Sequence, residues 1–346
     1  MLNQEQLNKI KQTLEQSQNP LFFFDNDVDG LCSFLILQRS LDRGKGVAIK
    51  SFPDLNDTYL RKVEELNPDL IVILDKPRVS QEFINQVLEK NLPIMWIDHH
   101  NIQVEKDIVD KIIYLNSYPS AEPTTYIAQK IFNRQEDLWL AIIGCIGDVY
   151  MPDFAKKFSQ ENPELFNSKL TAFDSLYMTE IGKTIKILNF GLKDTTTNVL
   201  NLMKLLKKAT SPQDILQETP QTKYLHHHFN QINKEYTKLL EKAEAQKQED
   251  KLLFFTYAGP ISMSSEISNE LYFKHKEKII VVAYKKQDTV NISMRGKNVL
   301  ELTKKAIEGF EDATGGGHQD ATGARIKTDD LDEFKKRVEE LANSKP

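Results

Sequence analysis

Three aspartates on alternate positions, Asp25, Asp27 and Asp29, crowd into "DNDVDG" and end at Gly30. Like charges this close raise one another's proton affinity, so the arrangement is costly unless a cation sits among them. Asp75 follows the apolar run "LIVIL", Asp98 follows "PIMWI", and Asp148 follows "LAIIGCIG". His99 and His100 come directly after Asp98. An acid after a strand is commonly a turn residue or a helix cap, and a histidine pair can be core or capping. Four acids reaching one edge of one sheet point elsewhere. Carboxylates with an imidazole and no thiolate suit hard-to-borderline divalent cations, Mn²⁺ and Mg²⁺ ahead of Zn²⁺. One ion rarely needs four or five carboxylates. Two ions about 3.5–4 Å apart, bridged by one carboxylate, would use them all.

The elements that must position these residues alternate in type. An amphipathic N-terminal segment is followed by strand "LFFFD", a helix over 30–43, strand "GVAIKSF" and a helix over 56–66. Strand "LIVILD", a helix over 80–91 and strand "LPIMWID" come next. This pattern predicts β-α-β units and a parallel sheet, in which ligands gather beyond the carboxyl ends of the strands. From about Pro152 to Asp250 the chain reads as helices, ending in a long polar connector. His226, His227 and His228 lie in that connector; three consecutive helical positions point about 100° apart, so packing is the expected role rather than metal binding. From Leu252 strands return, "LLFFTYAG", "KIIVVAYKK", "TVNISMRG" and "ATGARIKT", with helices over 263–274 and 298–310. The expected class is α/β: a metal-binding domain over 1–150, a helical segment over 151–250 and a smaller α/β domain over 251–346.

With 346 residues, 40% hydrophobic and 27% charged, the composition is that of an ordinary globular chain. Its apolar runs are too short to span a bilayer, which excludes a membrane protein of helical type. The N-terminal stretch carries acids and does not read as a secretory signal. Cys32 and Cys145 sit in apolar patterns and read as buried thiols of a reducing, cytoplasmic compartment. A net charge of −5 gives no overall sign of nucleic-acid binding. Between Leu271 and Lys305, however, nine Lys/Arg face three acids. That stretch reads either as a solvated face or as a contact for a phosphate backbone.

A second constellation lies near the C-terminus. Gly315, Gly316 and Gly317 would let backbone N–H groups approach a phosphate unobstructed. His318 adds a donor, and Arg295 after "ISM" could grip a phosphate through two parallel hydrogen bonds.

"DNDVDG", "ILD", "IDHH" and "GCIGD" stand in the order and approximate spacing of the four motifs of the DHH phosphoesterase family. "GGGHQDATGARI", with "ISMRG" upstream, resembles the substrate-binding domain that usually accompanies them. The resemblance runs from about Leu21 to Ile326 and is nearest to the RecJ-like exonucleases of compact archaeal type. It implies two divalent cations, Mn²⁺ preferred and Mg²⁺ possible. Asp27 would bind the first and Asp29 the second, Asp75 would bridge them, and His99 and Asp148 would complete the second. His100 would act beside the substrate phosphate, and Arg295, Gly315 to Gly317 and His318 would bind substrate. One departure stands out: Phe23 occupies the place where many members carry a histidine, and Asp25 reads as a hydrogen-bond acceptor behind the ligands.

The activity implied is in-line hydrolysis of a phosphodiester by water, releasing nucleotides from single-stranded DNA, or RNA, in repair or replication. Replication or repair proteins of the GINS or helicase kind are the implied partners. Two alternatives share the architecture: a phosphodiesterase for very short RNAs or cyclic dinucleotides (nanoRNase-like), and a replisome scaffold with weak or no nuclease activity. The retained acids and His99 argue against the scaffold. An inorganic pyrophosphatase is weaker still, because that branch uses the upstream histidine and a different C-terminal domain.

Overall fold

The computed structural model describes residues 2–49, 54–120, 122–246 and 251–343. The chain divides into two compact units, Met1–His228 and Phe229–Pro346.

In the first unit five parallel strands form one sheet: β1 (Pro20–Asp25), β2 (Lys45–Ile49), β3 (Leu70–Leu74), β4 (Ile94–Asp98) and β5 (Ile113–Asn116). Their order is β2-β1-β3-β4-β5. β3 and β4 are buried at every residue, as continuous apolar runs require when helices cover both faces of a sheet. The chain leaves β1 toward β2 on one side and returns to β3 on the other. That reversal opens a crevice beyond the carboxyl ends of β1 and β3, where the acids lie. β5 has no counterpart among the expected strands; its four residues are mostly half-buried, too short a run to show an alternating pattern. The second predicted strand is described only as far as Ile49, and the rest of "GVAIKSF" lies outside the described residues.

The helix after β1 starts earlier than its apolar pattern indicates, at Val28, and runs to Leu41. Asp27 caps it, accepting from the Gly30 N–H at 2.9 Å. Gly30 ends the motif because a Cβ there would lie 2.4 Å from the Asp25 carbonyl oxygen, so only glycine lets the helix start pack onto the end of β1. Phe34 of this helix stacks on Phe24 at 4.9 Å and meets Phe22 edge-on at 5.4 Å. Burying each such ring contributes about 2 kcal/mol, which fixes helix and strand together. The helix Leu138–Gly147, apolar throughout and almost wholly buried, ends at Asp148. The helix Lys223–Glu244 carries the three histidines. His226 Nε2 lies 2.9 Å from the Ile215 carbonyl, and His228 contacts the Phe190 carbonyl and Asp194. These are packing contacts with separate partners, as the helical geometry requires. Both cysteines are free and buried.

The second unit holds a mixed sheet of β6 (Leu252–Ala258), β7 (Ile279–Lys286), β8 (Thr289–Arg295), β9 (Thr314–His318) and β10 (Ala321–Lys327), in the order β6-β7-β8-β10-β9. β6 and β7 are parallel; the other neighbours are antiparallel. Helices Val299–Ile307 and Leu331–Asn343 cover the face bearing Val281, Ile292, Met294 and Ala324. The helix Ser264–Lys274 packs on β7 and β8, and Ser264 bonds Ser293 of the opposite face. The basic run from Lys274 to Lys305 is therefore shared between two faces and is not one surface. The glycine run is not a loop but the exposed edge strand β9, which sequence alone hides because glycine is a poor strand former.

Among the described residues no helix is long and apolar enough to cross a membrane.

Candidate metal centre

Each acid reaches the crevice by a different local device. Asp27 caps the helix Val28–Leu41 and is exposed. Two residues on, Asp29 is buried and accepts from the N–H groups of Thr124 and Thr125 at 2.9 and 2.8 Å. Asp29 thereby caps the helix Thr124–Phe132, whose partly positive N-terminus compensates its charge. Asp75 follows β3 in the left-handed region, φ 55°, and its N–H donates to the Ile97 carbonyl at 3.0 Å. His99 and His100 follow β4, their rings 4.3 Å apart.

His99 stands at the centre of the group. Its Nε2 is 3.2 Å from Asp75 Oδ1 and 3.9 Å from Asp29 Oδ2, and its Nδ1 is 3.6 Å from Asp148 Oδ2. Asp75, His99 and His100 offer ligand atoms all within 4.8 Å of one another. Asp75 Oδ1 is buried and has no hydrogen-bond partner among the described residues. Two donors bound at about 2.1 Å and right angles to one ion lie about 3 Å apart, close to the separation of Asp75 Oδ1 and His99 Nε2. An orphaned carboxylate oxygen beside an imidazole, ringed by further carboxylates, fits a divalent cation.

The electrostatics say the same. Burial, and then the charge of Asp27, push Asp29 up to about 7. Asp75 and Asp148 are raised well above the ordinary carboxylate range, first by burial and then by their acidic neighbours. The cluster holds more negative charge than the protein alone neutralises.

One cation comes from the chain itself. Lys76, 2% exposed, donates to Asp25 Oδ1 at 2.8 Å. Burial and Asp27 raise Asp25 to about 6 while Lys76 pulls it down. Asp25 thus has its own counter-ion. Phe23, at the position where many family members carry a histidine, packs against Tyr59 and Phe83 in the core.

His100 is held differently from His99. Its Nδ1 lies 2.9 Å from Asp98 Oδ1, a contact only a protonated Nδ1 satisfies, and its backbone N–H donates to Asp98 Oδ2. Burial opposes a charge on this ring. The hydrogen bond and charge of Asp98, helped by Asp27 and Asp25, outweigh that and raise its pKa. Asn116 donates to the His100 carbonyl at 2.9 Å. Tyr118, two residues after Asn116, is 50% exposed, and Val149, directly after Asp148, is 47% exposed.

Sequence reasoning missed Lys76, Asn116, Thr124 and Thr125. The lysine had a visible signal, a cation directly after Asp75. The others act through backbone and amide groups that no motif announces.

In the second unit Arg295, Ala321 and His318 share one rung across β8, β10 and β9, so their side chains leave the same face. The guanidinium of Arg295 is steadied by Asn269 and by the Met294 carbonyl. Gly316 opposes Gly323 with nothing within 4 Å of where its Cβ would stand.

The DHH family N-terminal domain model matches residues 21–146 and the DHHA1 domain model residues 260–344. No curated protein matches the chain by sequence. Among solved structures, the RecJ of Thermus thermophilus in complex with Mn²⁺ is similar at TM-score 0.68 and 15% identity. The match covers 99% of this chain but only 55% of the Thermus protein. An exonuclease RecJ bound to manganese matches at TM-score 0.64 and 15% identity, covering 100% of this chain and 96% of that one. The pGpG-specific phosphodiesterase PggH from Vibrio cholerae matches at TM-score 0.52 and 16% identity, covering 95% and 100%. These likenesses are of fold. Two family domains in this order, on a sheet that turns back at its acid-lined crevice, place the chain in the DHH superfamily with a RecJ-like fold.

Proposed function

We propose that the protein is a metal-dependent phosphodiesterase, and within that class a RecJ-like exonuclease that releases nucleotides from single-stranded DNA, or RNA. One observation carries the reading. Asp29, Asp75, His99 and Asp148 converge at the reversal point of the sheet, and a buried oxygen of Asp75 has no hydrogen-bond partner among the described residues. Asp27 and Asp75 would hold one cation; Asp29, Asp75, His99 and Asp148 the other. Two divalent cations, Mn²⁺ before Mg²⁺, would supply water activation and charge for the leaving oxygen.

The chain's own part is positioning. Asp98 keeps the proton on His100 Nδ1 and fixes the ring, which would orient a substrate phosphate and stabilise its charge. Arg295, His318 and the backbone of Gly315 to Gly317 would hold a second phosphate away from the scissile one. RecJ structures solved with manganese and with magnesium support a divalent cation in this role. Replication or repair proteins remain the proposed partners.

The second reading, a dinucleotide phosphodiesterase, is favoured by the likeness to PggH. End-labelled DNA and RNA strands of graded length, digested with Mn²⁺ and with excess chelator, separate the two. Activity that grows with length and vanishes on chelation supports the exonuclease. Activity confined to dinucleotides replaces it with the second reading, and activity in chelator removes both.

A further inference from the structure

We propose that the open edge of β2 is a docking groove for an extended acidic and aliphatic segment of a partner protein, which adds to the first sheet as a sixth strand. This holds whatever the substrate, because no proposed metal ligand lines the groove, whose end reaches Asn26 beside Asp27.

Among the described residues β2 pairs only with β1 and stands at the sheet's end. A cavity of about 410 Å³ runs along it, bordered by every residue from Gly44 to Ala48. Val47 and Leu66 line one side; Val199, Leu200 and Met203 of the helix Thr196–Lys208 line the other. Leu200 is 45% exposed, one of the few large apolar side chains left in solvent. Above this aliphatic floor stand Lys45, Lys62, Lys204 and Lys207, against a single lining acid, Asp194. Asp194 is engaged by His228 at 3.3 Å and by Asn198 at 2.9 Å. Lys62 and Lys207 reach Glu65 and the exposed Asp42. Surface pairs of that kind are weak and exchange readily for a new anion. A net positive groove on a chain of net charge −5 selects an acidic occupant.

Two features favour a peptide over a nucleic-acid strand. Base binding uses open aromatic faces, yet the one aromatic ring in the lining, Phe34, is fully buried and stacked on Phe24. A sheet edge also presents main-chain donors and acceptors in strand register, which a peptide backbone matches and a phosphodiester backbone does not. Five residues of strand span about 17 Å, enough for alternate side chains of an added strand to reach the floor.

The test uses the full chain and fluorescence anisotropy with labelled peptides of about ten residues that alternate Glu or Asp with Val, Ile or Leu. The acidic peptide should saturate at one per chain and slow amide exchange over residues 45–49. A lysine-for-acid version should not bind. N-methylation of alternate amides should weaken binding at least ~10-fold, because it removes the donors strand pairing needs. The exposed double substitution Lys204→Glu/Lys207→Glu should do the same while leaving the circular-dichroism spectrum and thermal transition unchanged. Equal binding of the N-methylated peptide would overturn strand addition. An oligothymidylate that protects 45–49 where the peptide does not would make the groove a nucleic-acid track. A change of sedimentation in the double variant without peptide would make the occupant a second copy of this chain.

Discussion

Asp75→Asn is the most informative single change in the metal centre. Asparagine keeps the shape and tolerates the left-handed φ of 55°, and it keeps the backbone bond to Ile97. What it removes is a buried charge that sits among Asp27, Asp29, Asp25 and Asp148. Relieving that repulsion in metal-free protein should stabilise it by about 1–3 kcal/mol. For a unit of this size, 1 kcal/mol moves Tm by roughly 2–4 °C, so the gain in chelator is about 2–12 °C. With metal the order inverts. Mn²⁺ at about 100 times its Kd should stabilise the wild type by about 2.7 kcal/mol, and the variant, lacking a shared ligand, should lose most of that increment. Hydrolysis should fall by several orders of magnitude. Differential scanning fluorimetry with chelator and with Mn²⁺, beside a turnover assay, reads all three. A variant that is less stable in chelator yet keeps the full metal shift would mean that Asp75 is a turn residue and no ligand.

Three further outcomes follow from the same geometry. Lys76→Met leaves Asp25 buried without its ammonium and should cost about 3 kcal/mol in thermal or urea denaturation; adding Asp25→Asn should recover most of it, and additive losses would refute the pairing. Gly316→Ala should leave denaturation unchanged, whereas Gly317→Ala, at φ 133° and 2.6 Å from the Ala321 carbonyl oxygen, should cost about 1 kcal/mol or more; equal stability of the two would contradict the strand geometry. Tyr118→Ala should raise KM for oligonucleotides about 5- to 150-fold, the scale of one lost stacking contact, and leave KM unchanged for a strand whose terminal nucleotide is abasic; an equal rise on both would place Tyr118 outside base recognition.

Much of this was legible in the chain. Apolar runs such as "LIVIL" must be buried on both faces, so their class and their parallel arrangement follow from composition alone. The acids that close them had to meet at one edge. Other features depended on contacts far apart in sequence. Asp29 is fixed by Thr124 and Thr125, 95 and 96 residues away, and no local spacing encodes that. Gly315 to Gly317 suggest a loop by propensity, but pairing with β10 overrides it. The basic run from Lys274 to Lys305 looked continuous in sequence and is divided by the sheet it helps to build. The crowding in "DNDVDG" also has a nearer answer than expected: part of its counter-charge is Lys76, one residue beyond an acid already singled out.

The grip of Thr124 and Thr125 on Asp29 bears on the order of assembly. Both carboxylate oxygens of this buried acid are oriented by amides of the helix Thr124–Phe132, and the Thr125 hydroxyl donates to the Asp29 carbonyl at 2.8 Å. This buried acid of the crevice is therefore set in place by the polypeptide, with a helix terminus serving as its first counter-charge. A newly made chain can close this part of its fold before it meets any ion. Loading of the proposed cations would then be a separate and later event, and the identity of a bound ion would be set by supply as well as by the donor set.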